Sequence, residues 1–422
     1  LKPHELPDWI ARRATRAGLK LTPDAVGLLV ERMEGNLLAA AQEIDKLVLL
    51  AQGRALDAGA LDALVADSAR FDDVGDEISY VICRNINFTN VCYVGCSFCG
   101  FSRHKHEEDA YDRTLEDVVG RAREAVARGA SEVCIQGGIH PNKDGFWYRE
   151  ILRAIKAELP DLHIHAFSPE EIHFGQQKSK GMSLRDYLSM LKDEGLGSIP
   201  GTAAEILDDE IRRILAPRKL MTERWVEIVT TAHEVGLRSS STLMYGHIES
   251  PRHVAGHLEL LREIQKRTGG FTEFVPLGFI HHNTKLYNER GSRAGATLPE
   301  DLRLIAIARL FLRPWIRNVQ ISGVAVAFKN GQVALMSGAN DFGGTLMEES
   351  ISNAAGSEHG DHVEPETIER LIREIGRTPY ERTTTYGRRE RKSVAKVAPL
   401  ELELAPAGRP SAGHGIAVPS GY

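Results

Sequence analysis

The 422-residue sequence is short of cysteine, aromatic residues and any surplus of one charge, and each shortage excludes a class of protein. Five cysteines are too few to staple a chain this long with disulfides, and no signal peptide opens the sequence. A reducing, cytoplasmic setting is the expectation. No apolar run reaches the roughly 18 residues of a membrane-spanning helix, which excludes a membrane span. Lys and Arg number 52 against 58 Asp and Glu, a net charge of −6, too mild an imbalance to point to nucleic acid. Hydrophobic residues at 42% and charged residues at 26% exclude wholesale disorder. Glycine is plentiful by contrast, with 39 residues, and suits backbone turns around a ligand. The chain begins at Leu1 rather than Met, so its true beginning is expected upstream.

Two patterns divide the chain. Over residues 1–73, Ala25, Val26, Leu28–Val30, Leu37, Leu38, Ile44, Leu47 and Leu50 recur at helical spacing, which predicts short amphipathic helices. Thr22-Pro23-Asp24 is a helix start, with Pro in the first turn. From Asp76 onward, short strand-like runs alternate with helical ones. Strands are predicted at Tyr80–Asn87, Glu132–Gln136, His163–Phe167, Gly197–Ile199, Leu237–Leu243, Phe271–Pro276 and Asn318–Ile321, with Val333–Met336 as the eighth. Helices are predicted between them, such as Leu115–Arg128, where Thr114 and Asp117 form a capping box. This alternation predicts an α/β fold, a (βα)8 TIM-type barrel over residues 76–386. A small helical appendage precedes it, and a disordered tail is expected over residues 387–422, rich in charge and then in Pro, Gly, Ala and Ser.

The decisive local feature is Cys92-Tyr-Val-Gly-Cys96-Ser-Phe98-Cys99, placed after the first predicted strand, where a barrel carries its chemistry. Three thiolates on one loop can converge on a single soft metal centre. Zinc prefers four ligands, and only His104 and His106 lie nearby. Cys83 and Cys134 fall inside predicted strands and read as core residues. The spacing, with Phe98 before the last cysteine, resembles the signature of the radical S-adenosylmethionine (SAM) superfamily. That resemblance implies one 4Fe–4S cluster on Cys92, Cys96 and Cys99, whose open iron takes SAM and cleaves it to a 5′-deoxyadenosyl radical.

Arg84-Asn-Ile-Asn-Phe-Thr-Asn90, Gln136-Gly137-Gly138, His163-Ile-His-Ala-Phe-Ser-Pro169, Pro200-Gly-Thr-Ala-Ala-Glu-Ile206, Arg238-Ser-Ser-Ser-Thr242, Met244-Tyr-Gly-His247, Gly338-Ala-Asn-Asp341 and Arg382-Thr-Thr-Thr-Tyr386 narrow the resemblance further. They are similar to the family of FO synthase subunit 2, the tyrosine-dependent 4-hydroxyphenyl transferases of deazaflavin biosynthesis. The resemblance implies joining the 4-hydroxybenzyl group of L-tyrosine to 5-amino-6-(D-ribitylamino)uracil. It also implies FO synthase subunit 1 as a pathway partner and flavodoxin or ferredoxin as electron donor. Gly137 and Gly138 would let backbone approach the methionyl end of SAM beside Phe98, and Ser168, Glu170, Thr202 and Glu205 would suit its ribose or amino group. Glu205 reads equally as a carboxylate at a helix N-terminus. Ser239–Ser241 with Tyr245 and His247 form a polar run suited to a ribityl chain, with Tyr245 and His247 as catalytic candidates, although His247 reads equally as structural. Two segments depart from the family pattern, Gly278-Phe-Ile280 and Ser322–Lys329, and are expected to alter the pocket.

Leu6–Ile10, Glu34–Leu47 and Ala66–Phe71 resemble something else, the helical lid region of the delta subunit of DNA polymerase III clamp loaders. They lack the flanking domains of that family, so a fusion or an assembly artefact accounts for them better than a second activity. The alternatives are therefore an aminofutalosine synthase-like radical SAM enzyme and, from another class, a clamp-loader binding module.

Overall fold

The computed structural model describes residues 3–33, 37–51, 53–61, 75–321, 328–357 and 362–390. It divides into two compact units, Leu1–Asp76 and Glu77–Tyr422. In the first, helices α1 (Leu6–Arg16), α2 (Pro23–Met33) and α3 (Leu37–Ala51) gather a core of their own. Leu6, Ile10 and Ala14 recur every fourth residue of α1 and are buried with Leu29, Ile44 and Leu47. The helix start read at Thr22-Pro23 is present, with Pro23 as its first residue. The Ala66–Phe71 stretch lies outside the described residues.

The second unit is a ring of parallel strands. β1 (Glu77–Val81) and β2 (Cys83–Ile86) follow one another across Ile82 and act as one barrel strand. β2 pairs with β3 (Glu132–Ile135), and the ladder continues through β4 (His163–Ala166), β5 (Ser198–Ile199), β6 (Arg238–Tyr245) and β7 (Phe271–Gly278). β1 pairs on its other side with β8 (Asp341–Gly344). Residues 318–321 close the gap between β7 and β8. Phe274 donates to the Asn318 carbonyl at 2.8 Å, and Ile321 donates to the Asp341 carbonyl at 2.9 Å.

Helices fill the connections and bury their apolar faces against the strands. α4 (Leu115–Ala127) is typical, burying Val118, Val119, Ala122 and Ala125. Thr114 accepts from the Asp117 N–H and Asp117 returns the bond, so the expected capping box exists with Asp in the third position.

The eighth strand is not where the sequence pattern placed it. Val333–Met336 closes helix α13 (Phe328–Met336), and the strand is Asp341-Phe-Gly-Gly344. Such a sequence has low strand propensity; the partner β1 and residues 318–321 impose the extended form from both sides. After α15 (Pro365–Glu374), β9 (Thr378–Glu381) pairs with β1, and its Pro379 is tolerated at an edge. The chain then turns across the N-terminal ends of the strands. Arg382 is 2% exposed there, and Arg389 donates back to the Glu381 carbonyl at 3.0 Å. Residues from 391 onward lie outside the described residues.

Candidate active site

The loop from Asn87 to Arg113, between β2 and α4, carries the three cysteines and is tied internally. Thr89 donates to the Tyr111 carbonyl at 2.7 Å, Asn90 accepts from the Tyr111 N–H at 2.7 Å, and Cys92 donates to the Arg103 carbonyl at 3.0 Å. Gly95 has φ +65°, a left-handed conformation that glycine adopts without strain, and it turns the chain between Cys92 and Cys96. Cys92, Cys96 and Cys99 line a cavity of about 480 Å³ that runs down the lumen of the barrel. Burial pushes the Cys92 and Cys96 thiols up, so deprotonation requires a cation at the site. His104 and His106 are exposed, stack on one another and do not line the cavity. Cys83 and Cys134 also line the cavity, but from the paired strands β2 and β3, so the loop itself offers three thiolates, which suits an iron–sulfur centre with one open iron rather than a four-ligand zinc site.

The strand ends bring most of the expected cofactor residues to the same cavity. Phe98, Gly137, Gly138, Ser168, Glu170, Thr202 and Glu205 all line it. The reason for Gly138 differs from the expectation. A Cβ there would sit 2.4 Å from the Val91 carbonyl oxygen, so the missing side chain lets the β3 end close on the cysteine loop. Ser168 caps helix α6 (Pro169–Lys178) and donates its hydroxyl to Glu171 at 2.7 Å. Thr202 donates to Gln136 at 2.9 Å, and Glu170 accepts from the Leu220 N–H at 2.9 Å.

Two residues at this level were not singled out in the sequence. Glu171 is buried, accepts from the Gly137 and Ser168 N–H groups at 3.0 and 2.7 Å, and so joins two strand ends. Burial lifts its carboxyl to about 7, against the pull of the Ser168 and Gly137 bonds. Its signal was available, because Ser168-x-x-Glu171 is a capping box. Lys219 gave no local signal. It lies 2.7 Å from Glu205 and 5.4 Å from the centre of the Phe98 ring. Its burial disfavours the charge, but Glu205, Cys96 and Glu170 outweigh that and raise its pKa.

Only one phase of the polar run on β6 faces the cavity, and it is not the phase that holds Tyr245. Ser240, Thr242 and Met244 line the cavity, whereas Tyr245 and His247 do not. Side chains alternate along a strand, so the phase holding Ser239, Ser241 and Tyr245 points into the surrounding layer. Ser241 donates to the Glu273 carbonyl, Ser239 bonds His233 at 2.9 Å, and Tyr245 donates to Asp301 at 2.7 Å. His247 contacts the Met244 carbonyl at 3.1 Å and Glu249 at 3.1 Å, and burial lowers its pKa. These two side chains support the wall. Tyr245→Phe is accordingly expected to lower stability by about 1–2 kcal/mol, the value of one lost hydrogen bond with a half-buried carboxylate left behind. A thermal melt checks the loss, and a KM for the acceptor that rose tenfold would return Tyr245 to the pocket. Gly278, Phe279 and Ile280 line the cavity, while residues 322–327 lie outside the described residues.

A parallel barrel whose first loop presents three cysteines into the lumen defines a radical SAM enzyme. The radical SAM superfamily model matches residues 86–261, and the CofH/MqnC C-terminal region model matches residues 268–395. The chain is 49% identical over 323 residues to the 5-amino-6-(D-ribitylamino)uracil–L-tyrosine 4-hydroxyphenyl transferase of Methanothermobacter thermautotrophicus, covering 76% of this chain and 88% of that one. It therefore belongs to the radical SAM family of that transferase and of the FO synthases. It is 50% identical to the FO synthase of Mycobacterium tuberculosis, over 84% of this chain and 42% of that protein. The FO synthase of Streptomyces coelicolor is 46% identical over 96% of this chain and 46% of its own length. The chain thus spans about half the length of these FO synthases. The Streptomyces match leaves out only 4% of 422 residues, about 17, so it takes in most of residues 1–73. A clamp-loader origin is not needed to account for those helices. Among solved structures, methylornithine synthase shares the fold, with a TM-score of 0.57 and 18% identity over 74% of this chain and 86% of that one.

Proposed function

We propose that this chain joins the 4-hydroxybenzyl group of L-tyrosine to C5 of 5-amino-6-(D-ribitylamino)uracil, releasing 2-iminoacetate. The carrying observation is the near-complete match to a transferase of that name, in a chain whose three cysteines share one cavity with the strand-end residues. Cys92, Cys96 and Cys99 would hold one 4Fe–4S cluster, with SAM beside Phe98, Gly137, Gly138, Ser168, Glu170, Thr202 and Glu205. When bound, this pair supplies the electron and the hydrogen-abstracting power that break the Cα–Cβ bond of tyrosine.

The chain's own residues bind, orient and shield. Glu171 holds the Gly137 backbone and the Ser168 cap in register. Lys219 balances Glu205 and Glu170 where the lumen meets the cysteine loop, so two carboxylates can stand in a largely buried place. The walls exclude water that would quench a reactive carbon centre. Reduced flavodoxin or ferredoxin would deliver the electron in the cytoplasm, and an FO synthase subunit 1-type enzyme would close the deazaflavin ring.

The test is mass spectrometry of an anaerobic reaction containing reconstituted protein, SAM, tyrosine and the ribitylaminouracil. A tyrosine-derived benzyl adduct of the uracil is expected, together with 5′-deoxyadenosine. Absence of the adduct, with an aminofutalosine-type product formed from its own substrates, would favour the menaquinone-pathway alternative.

A further inference from the structure

Below the cysteine loop the lumen carries polar side chains where a parallel barrel ordinarily packs branched apolar ones. Glu132 on β3, His165 on β4, Glu273 on β7 and Gln320 in the segment 318–321 all line the cavity. The first three are 6%, 9% and 6% exposed. Each of the four engages the protein through one polar atom. Glu132 Oε2 accepts from Thr384, and His165 Nδ1 bonds Ser198 at 2.7 Å. Glu273 Oε2 accepts from Tyr386, from Gln320 Nε2 at 3.2 Å and from Arg382 at 3.3 Å. The second atoms, Glu132 Oε1, His165 Nε2, Glu273 Oε1 and Gln320 Oε1, have no partner among the described residues. These atoms face the cavity, and four on one belt suit a ligand that carries several hydrogen-bonding groups.

We propose that this belt holds the polyol chain of the acceptor, the ribityl group of the aminouracil. The assignment rests on the function proposed above. Hydroxyl groups fit because each can donate and accept, which satisfies carboxylate, amide oxygen and imidazole alike. L-Tyrosine fits poorly. Its carboxylate would meet Glu132 and Glu273, while the nearby cation, Arg382, is already paired with Asp341 and Glu273. The belt also lies toward the strand starts, away from the cysteines at the strand ends. That leaves the upper lumen for the amino acid, next to the site of hydrogen abstraction.

The test is calorimetric binding of 5-amino-6-(D-ribitylamino)uracil and of 5,6-diaminouracil, which lacks the chain, to the reconstituted enzyme. Glu273→Gln and Gln320→Leu should each weaken binding of the ribityl compound by about tenfold or more, in line with a lost buried hydrogen bond. Binding of 5,6-diaminouracil should change by less than about twofold on the same reasoning. Gln320→Leu keeps the Arg382 ion pairs whole, so it guards against a folding defect in Glu273→Gln; a melt of each variant checks this. Equal weakening of both compounds would overturn the assignment, placing the ring or a structural role at the belt. Unchanged binding, or a loss confined to tyrosine, would overturn it as well. Wild-type protein that binds the acceptor yet forms no adduct would refute the proposed reaction and leave the belt to be judged on binding alone. Wild-type protein that binds neither uracil would overturn both.

Discussion

Replacing any one of Cys92, Cys96 or Cys99 by Ala should abolish the iron–sulfur absorbance of the reconstituted protein and all cleavage of SAM. The three thiols stand on one eight-residue loop, and its Cys92 and Ser97 N–H groups donate to the Arg103 and Leu215 carbonyls, which leaves few other arrangements. A cluster already short of a fourth protein ligand cannot lose another and keep its open iron in place. Cys83→Ala and Cys134→Ala should retain the cluster. Both lie within paired strands, Cys83 opposite Glu132 and Cys134 opposite Asn85, where the sheet prevents their approach to the loop. Cys83 is also closely packed, since a Cβ on Gly344 would fall 2.2 Å from its sulfur. Its truncation should cost stability alone, about 1–2 kcal/mol for a small cavity. Iron content, the visible spectrum and 5′-deoxyadenosine release are the measurements. Cluster loss in Cys134→Ala would show that the division of the cysteines is wrong.

Arg382→Met should destabilise the barrel unit by about 3–5 kcal/mol, the usual consequence of stripping one partner from a buried ion pair. The guanidinium sits 2.5 Å from Asp341 through Nε and 3.3 Å from Glu273, bonds the Thr383 carbonyl, and lies 4.1 Å from the Tyr386 ring centre. Without it, both carboxylates remain largely buried with their charge unbalanced. At roughly 2–4 °C per kcal/mol for a unit of this order of size, the melting midpoint should fall by about 10 °C. The pH dependence has a definite sign. Burial already raises the Glu273 carboxyl while Arg382 opposes the rise, so its folded value in the variant climbs further above the unfolded one. A raised carboxylate favours the fold at low pH and loses that contribution as pH rises through the folded value. The deficit should therefore be smallest near pH 4 and should widen toward neutrality. Adding Asp341→Asn to Arg382→Met should recover part of the loss. A midpoint within a degree or two of wild type would mean that the floor is wet and the pair weak.

The class of fold and the cysteine centre were legible from local sequence because both are written in spacing. Strand–helix alternation dictates a parallel barrel, and three cysteines within eight residues need no tertiary contact to share a loop. The helical repeat in residues 1–73 was legible for the same reason. What those helices belong to was not, since a short amphipathic pattern is compatible with many parents.

Other features depended on partners distant in sequence. Asp341–Gly344 became a strand because strands on either side paired with it, and Val333–Met336 stayed helical despite its β-branched start. On β6 the alternation was visible, but the face turned to the lumen was not: a period of two has two phases, and the neighbours β5 and β7 choose between them. That choice moved Tyr245 and His247 into the wall and Thr242 into the cavity. Lys219 met Glu205 by loop closure, and Arg382 reached Glu273 across 109 residues. The sequence by itself determined most of the elements, their order and the loop that carries the three cysteines, because those depend on near neighbours. Only the tertiary structure decided which polar groups face the lumen and which pair off behind it, because burial and charge pairing are set by residues far apart in the chain.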